Sequence, residues 1–284
     1  MMPIDPGLAG RELPSLEYSY NSKDVILYAL GIGAGSKPVD LTFLYEGDLK
    51  VLPTFGVIPP FPALTGIIGL EGMDFNPAML LHGEQYLELF GPIPEQGKVK
   101  SYPRISAIYD KGKGALVEIE VTTRDSKEEP LFLNRFSVFI RGEGGFGGEK
   151  GPEPGFEPPD RAADRVVSMP TLPQQALLYR LSGDFNPLHA DPQFAAMAGF
   201  DKPILHGLCT FGFAGRAVLD EFCNGDPALF KAIKVRFSRH VYPGETIVTE
   251  MWQDQPDLVI LRSKTVERGE YCLTNAAVWL KSQL

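Results

Sequence analysis

At 284 residues with a hydrophobic fraction of 44%, the chain is long enough for one large or two moderate domains with substantial cores. A net charge of −9 argues against a general nucleic-acid or anionic-membrane surface and leaves room only for a local basic rim around phosphates. No apolar run spans a bilayer, no charged-then-apolar leader precedes the fold, and the odd set Cys209, Cys223 and Cys272 lacks metal spacing, which predicts reduced structural thiols. Along the chain, Gly31-x-Gly33-x-Gly35 lacks the strand-before, helix-after setting of a dinucleotide loop and reads as a helix end. The Gly/Pro-rich run 54–69 predicts an irregular segment. His82 and Glu84 alternate with apolar neighbours as in a strand, with no third metal ligand in view. Strand patterns cover 115–121 and 131–140. Residues 142–160 are too rich in Gly and Pro for a regular element and read as an inter-domain linker. The expected division is 1–150 and 151–284.

Past that linker, Thr171-Leu172-Pro173-Gln174 has the form of a capping box, with Leu177, Leu178 and Leu181 on one helical face behind it. Gly183 fits the left-handed stop of that helix. Asp191-Pro192 reads as an N-cap with Pro at the first helical position of a short helix to about 198. Leu208, Phe211, Gly215, Val218, Leu219 and Phe222 trace a longer helix whose apolar surface predicts burial. Lys231, Lys234, Arg236 and Arg239 form a basic cluster ahead of a strand, with a solvated face as the default reading and a phosphate rim as the alternative. His240, beside Tyr242-Pro243-Gly244, reads as a turn residue. Strands follow at 246–252, 258–266 and 271–280. Each half has helix early and strands late, which predicts a duplicated α+β unit.

The chemistry gathers at Ser182-Gly183-Asp184-Phe185-Asn186-Pro187-Leu188-His189 and His206-Gly207. A carboxylate, an amide and an imidazole fall in the tight connection between two helices, and Gly207 offers an unhindered N–H at the start of a third. Asp and His suit the activation of a water, and a helix N-terminus stabilises developing negative charge. Asp-x-Asn in a turn also satisfies its own backbone as an Asx-turn. Asp74-Phe75-Asn76-Pro77 repeats four letters of this run but has Met79 where a His would be required, so it reads as a chance turn. The set points to water chemistry on a carbonyl compound, with Asp184 as base and His189 as its partner.

The run 182–189 matches the signature of the MaoC-like, or hydratase 2, family. Tyr28-Ala29-Leu30-Gly31, Leu81-His82-Gly83-Glu84-Gln85-Tyr86, Gly144-Gly145-Phe146-Gly147-Gly148 and the stretches 194–216 and 230–244 resemble its two-domain eukaryotic members. In effect the whole chain is covered. The resemblance implies an α+β, double hot-dog fold, antiparallel sheets wrapped on central helices. It implies a lyase of fatty acid β-oxidation that hydrates trans-2-enoyl-CoA to (3R)-3-hydroxyacyl-CoA, with no metal and no cofactor, CoA being part of the substrate. By motif, Asp184 and His189 hold the catalytic water, Asn186 helps to fix it, and Gly207 donates to the thioester oxygen. His82, Gly83, Lys111 and Phe237 fall where the family binds acyl-CoA, and an irregular 54–69 makes room for a bulky acyl chain in a non-catalytic first half. Hot-dog thioesterases and a non-catalytic acyl-CoA module remain the alternatives. Met1-Met2 sets the expectation of a free-standing chain, and oligomeric state stays open, a homodimer among the options. Ser282-Gln283-Leu284 resembles the Ser-Lys-Leu address read by the peroxisomal import receptor, departing at its middle position. Peroxisome is the expected location and cytosol the fallback.

Overall fold

A computed structural model describes residues 4–153 and 155–281; the tripeptide 282–284 lies outside them. Ten strands form one antiparallel sheet: β1 (Leu16–Tyr20), β2 (Leu80–Leu89), β3 (Gly97–Asp110), β4 (Gly114–Arg124), β5 (Pro130–Arg141), β6 (Arg165–Pro170), β7 (Phe230–Phe237), β8 (Thr246–Gln255), β9 (Leu258–Thr265) and β10 (Tyr271–Leu280). Their order is β1-β3-β4-β5-β2-β7-β10-β9-β8-β6. Taken inward from either edge, the strands come in the same sequence: first, third, fourth, fifth, second of each half. The halves meet where β2 pairs with β7, Glu84 opposite Arg236 and Glu88 opposite Ala232. This is the duplicated α+β unit read from the sequence, in the double hot-dog architecture that the family resemblance implies.

The duplication gives the turn at Asp74-Phe75-Asn76-Pro77 a counterpart outside the run 184–187. Asn76 caps a 3₁₀ turn at Pro77–Met79, its side chain accepting from the Ala78 N–H, and β2 follows. Asp226 does the same for Pro227–Leu229 ahead of β7. The counterpart of Asn76-Pro77-Ala78 is therefore Asp226-Pro227-Ala228, and the run 74–77 is a turn whose place in the duplication is not that of 184–187.

The described residues form four α-helices, α1 (Ser22–Gly31), α2 (Gln175–Tyr179), α3 (Pro192–Met197) and α4 (Gly207–Phe222); α4 packs on β6, β7, β8 and β10, and α2 packs on α1. In α4 every residue from Leu208 to Leu219 is buried. Among the described residues the first half has no such helix. Pro53, Pro59, Pro60 and Pro62 remove backbone donors and clash with an α-helical turn, and the chain forms 3₁₀ turns at Pro53–Val57 and Phe61–Thr65 instead. A buried amide chain fixes this segment: Gln85 Nε2 donates to Asn134 Oδ1 (2.8 Å), and Asn134 Nδ2 donates to the Gly56 carbonyl (3.0 Å). α4 serves both halves. A Cβ on Gly215 would lie 2.6 Å from Thr54 and one on Gly212 2.5 Å from Ile32, so these glycines let the first half close onto the helix of the second.

Three expectations change. The capping box at Thr171 does not form: the Thr171 hydroxyl donates to the Glu245 carbonyl (2.7 Å) and accepts from the Gly244 N–H (2.9 Å), and α2 starts later. The leucine face of α2 points outward, Leu177 and Leu181 each 52% exposed, because Gln175, Ala176 and Tyr179 pack inward. Gln175 spends its amide on the Gly31 carbonyl at the end of α1 (2.6 Å), a polar contact that outranks apolar periodicity. Of the basic cluster, Lys231, Lys234 and Arg236 lie on β7 itself and Arg239 just past its end, not ahead of a strand. Elsewhere the local signals hold. Gly183 has φ +125°, and Asp191 accepts from the Gln193 and Phe194 N–H groups at the head of α3. Segment 142–160 is tied at its start: the Asp110 carboxylate accepts N–H bonds from Gly112, Gly145 and Gly147 (2.7–2.8 Å), which hold it below the usual carboxylate range.

Candidate active site

One cavity of about 1560 Å³ runs across the seam between the halves. His82, Gly83, Lys111, Asp184, Asn186, His189, Gly207 and Phe237 all line it, so the structure brings every sequence-predicted site residue to one space. Gly83 occupies a register shift in the β2–β5 pairing, which turns the His82 ring onto Phe136 and Phe237, centroids 5.6 and 4.9 Å apart. Burial pushes the His82 pKa down to about 4, and its Nε2 is sealed without a protein partner.

The loop 183–189 is built as an Asx-turn and is also the cavity wall; the two readings coexist. Asp184 Oδ1 accepts from the Asn186 N–H (3.1 Å), and Asn186 Oδ1 caps the Pro187–His189 turn through the Leu188 N–H (3.0 Å). Asp184 Oδ2 remains free of the turn and faces His189 Nε2 at 4.0 Å. That separation suits one water bridging two acceptors. His189 Nδ1 lies 2.8 Å from the Ile204 carbonyl. A carbonyl only accepts, so Nδ1 carries the proton and Nε2 presents a lone pair. Burial lowers the His189 pKa, opposed by the Asp184 charge; the ring is neutral near pH 7. Two acceptors thus face each other across a gap, and a water donating to both directs its own lone pairs into the cavity.

Gly207 is the first residue of α4, where N–H groups have no intrahelical partner. Its Cα abuts the Phe237 ring; a Cβ would meet it at 3.2 Å. His206, which the motif reading left without a role, is 1% exposed and does not line the cavity. Its Nε2 donates to the Asp184 backbone carbonyl (3.1 Å), its ring stacks on His189 with centroids 3.7 Å apart, and Tyr179 closes over it at 4.9 Å. Burial pushes its pKa down to about 2. Adjacency to Gly207 was its only sequence signal.

Asp184, His189 and His206 bring potential ligand atoms within 4.8 Å of one another. The Nε2 proton of His206 is committed to the Asp184 carbonyl, so the trio does not present three free lone pairs to a cation. Cys209 also lies behind the wall, buried, its pKa raised well above that of a free thiol by burial; it packs and is not a nucleophile. On the cavity rim, Lys111, Arg141, Lys150, Arg236 and Arg239 make no ion pair among the described residues, whereas Lys234 pairs with Glu84 at 3.1 Å. Lys231 is not among the lining residues.

Comparison with known proteins agrees with this geometry. Residues 18–142 match the model of the MFE-2 hydratase 2 N-terminal domain, and residues 156–275 match that of the MaoC like domain. A probable enoyl-CoA hydratase 2 of Dictyostelium discoideum is 48% identical over 93% of this chain and 92% of its own length. The peroxisomal multifunctional enzyme type 2 of Mus musculus is also 48% identical, over 96% of this chain, which spans only 38% of that longer protein. The crystal structure of a MaoC-like dehydratase from Phytophthora Capsici superposes with a TM-score of 0.87 at 36% identity, covering 98% of both chains. The chain belongs to the MaoC-like hydratase 2 family.

Proposed function

We propose that this protein is an enoyl-CoA hydratase, a lyase that reversibly adds water to trans-2-enoyl-CoA and yields (3R)-3-hydroxyacyl-CoA. The observation that carries the reading is the pair of acceptors, Asp184 Oδ2 and His189 Nε2, 4.0 Å apart beside the N-terminus of a buried helix. The names of the relatives, enoyl-CoA hydratase 2 among them, point the same way.

In the proposed reaction the water oxygen bonds to C3, the C2–C3 π pair shifts to C1–C2, and the carbonyl π pair moves onto the thioester oxygen as an enolate. The Gly207 N–H donates a hydrogen bond to that oxygen, a contact whose loss in comparable sites costs about 2.7–4 kcal/mol. One member of the Asp184–His189 pair takes the water proton, and the pair returns a proton to C2 on the same face. Asn186 holds the turn that presents Asp184. His82, Gly83 and Phe237 form the wall along the thioester, and the reaction asks for no metal and no cofactor. Lys111, with the other unpaired cations of the rim, suits the phosphates of CoA. The second half carries the chemistry; the first, opened by its prolines, accommodates the acyl chain.

Incubation with crotonyl-CoA and a long-chain enoyl-CoA tests this. Loss of the enoyl absorbance without free thiol is the expected result, and an (S)-specific 3-hydroxyacyl-CoA dehydrogenase added to the product should form little NADH. Release of free thiol would mark a thioesterase, and binding without turnover a module; either outcome sinks the hydratase reading.

The relatives named as peroxisomal also lead us to propose a peroxisomal location and a role in β-oxidation, with Ser282-Gln283-Leu284 as the candidate address. An N-terminal fluorescent fusion should give puncta that vanish on deletion of those three residues. A diffuse signal from the intact fusion would overturn the location.

A further inference from the structure

We infer that His206 is a positioning residue for the hydration reaction: its Nε2–H bond to the Asp184 carbonyl aims the Asp184 carboxylate at His189 while its ring backs the His189 imidazole. The inference rests on the proposed hydratase activity and assigns a residue outside the water-holding pair.

Three contacts converge on this one side chain. The Asp184 loop hangs from it through the backbone bond, His189 lies against its face, and Gly207 is its peptide neighbour. The water-holding pair and the oxyanion donor are therefore referenced to a single rigid ring. Of the four histidines, His82, His189 and His240 line the cavity and His206 lies behind its wall. A ring there needs no nitrogen to fill space; Tyr179 and His189 would pack on a phenyl equally well. Instead the chain buries an imidazole whose Nδ1 has no partner, which carries the desolvation penalty of an unsatisfied polar atom. A cost of that kind is retained where the other nitrogen has a task. The task is visible. With Oδ1 held by the Asn186 N–H and the backbone oxygen held by His206, Asp184 is fixed at two points, and its free Oδ2 lies 4.0 Å from the Nε2 atoms of both stacked rings, His189 and His206.

Two substitutions separate the donor from the ring. His206→Phe keeps a ring over His189 and drops the donor; His206→Gln keeps a donor amide at similar reach and drops the ring. Misplacement of a catalytic group by about 1 Å costs about 10²-fold, so His206→Phe should lower kcat to that extent. KM for crotonyl-CoA should stay within about threefold, the mark of an interaction expressed in the transition state. His206→Gln should recover at least about tenfold of the lost kcat. Rates are taken per folded site, counted by titration with (3R)-3-hydroxybutyryl-CoA. A residue that only supports the fold would lower melting temperature in both variants and leave kcat per folded site unchanged; that result overturns the inference, as does equal kcat in the two variants. Imidazole ¹⁵N shifts of the wild-type protein give a readout independent of turnover. They should show His206 neutral with its proton on Nε2 from about pH 5 to 8, and a titrating or Nδ1-protonated His206 also overturns the inference. If the wild-type protein hydrates no enoyl-CoA, the proposed function fails while the tautomer measurement still stands.

Discussion

Asp184→Asn is expected to lower turnover by at least about 10²-fold while changing stability little. The carboxamide oxygen can still accept the Asn186 N–H, so the turn keeps its shape. The amide nitrogen then points at His189 Nε2, 4.0 Å away, and places donors where the water needs an acceptor. His189→Asn makes the complementary cut. Its amide can satisfy the Ile204 carbonyl, which His189 Nδ1 now serves, but it has no counterpart of the Nε2 lone pair. It should lose at least about 10²-fold as well. The pH dependence follows from the direction of the His189 shift. Burial lowers its folded pKa below 6.5, so the neutral, active ring persists below the ordinary histidine range and activity falls only as pH drops through the lowered value. The Asp184 charge opposes that lowering, and its removal in Asp184→Asn should move the acid limb of the residual activity to still lower pH. Rate–pH profiles of kcat with crotonyl-CoA check both statements. Turnover near the wild-type value in both single variants would remove Asp184 and His189 from the chemistry.

The site was more legible than the scaffold that supports it, for a physical reason. Asp184, Asn186, His189 and Gly207 are close in sequence, and the turn that groups them is written in local code: Gly183 for a left-handed φ, Pro187 and Asp191-Pro192 for helix starts. Strands β5, β9 and β10 showed as apolar runs because stretches of them are buried on both faces, and β4 showed because its buried face alternates with a half-buried one. β3 escaped notice although its burial alternates from Val99 to Ile105. Two of its inward positions are Ser101 and Pro103; Ser101 is satisfied across the ladder by Thr123 at 2.8 Å, a pairing that only tertiary structure supplies. β1 and β6 are short edge strands, whose pattern is too brief for periodicity to register. The outward leucines of α2 fail for the opposite reason. Their spacing is helical, but the helix is five residues long and its inward face is set by Gln175 reaching Gly31. His206 stayed unread because its partners, the Asp184 carbonyl and the His189 face, are brought to it by the fold.

Arg216→Met is expected to destabilise the protein by about 3–5 kcal/mol, the range found when one partner of a buried ion pair is removed. Arg216 lies in the buried α4, 3% exposed, and its guanidinium donates to the Ile32 carbonyl (2.9 Å) and to both oxygens of Asp40 (3.2 and 3.3 Å), itself 1% exposed. Asp40 also accepts the Gly35 and Lys37 N–H bonds (2.8 and 3.1 Å). Methionine fills a similar volume, so the loss is electrostatic: the carboxylate stays in the core with backbone donors and no cation. The double variant Asp40→Asn with Arg216→Met removes both charges and should recover part of the loss, since burying neither ion avoids the desolvation cost that the pair only offsets. A total stability of about 5–15 kcal/mol makes the single variant's loss a large share. The contact joins the helix of the second half to the chain that follows α1 in the first, and it is the ionic counterpart of the close approaches at Gly212 and Gly215. Urea unfolding of the three proteins measures it. Arg216→Met within about 1 kcal/mol of wild type, or a double variant no more stable than the single, would show that the pair does not couple the halves.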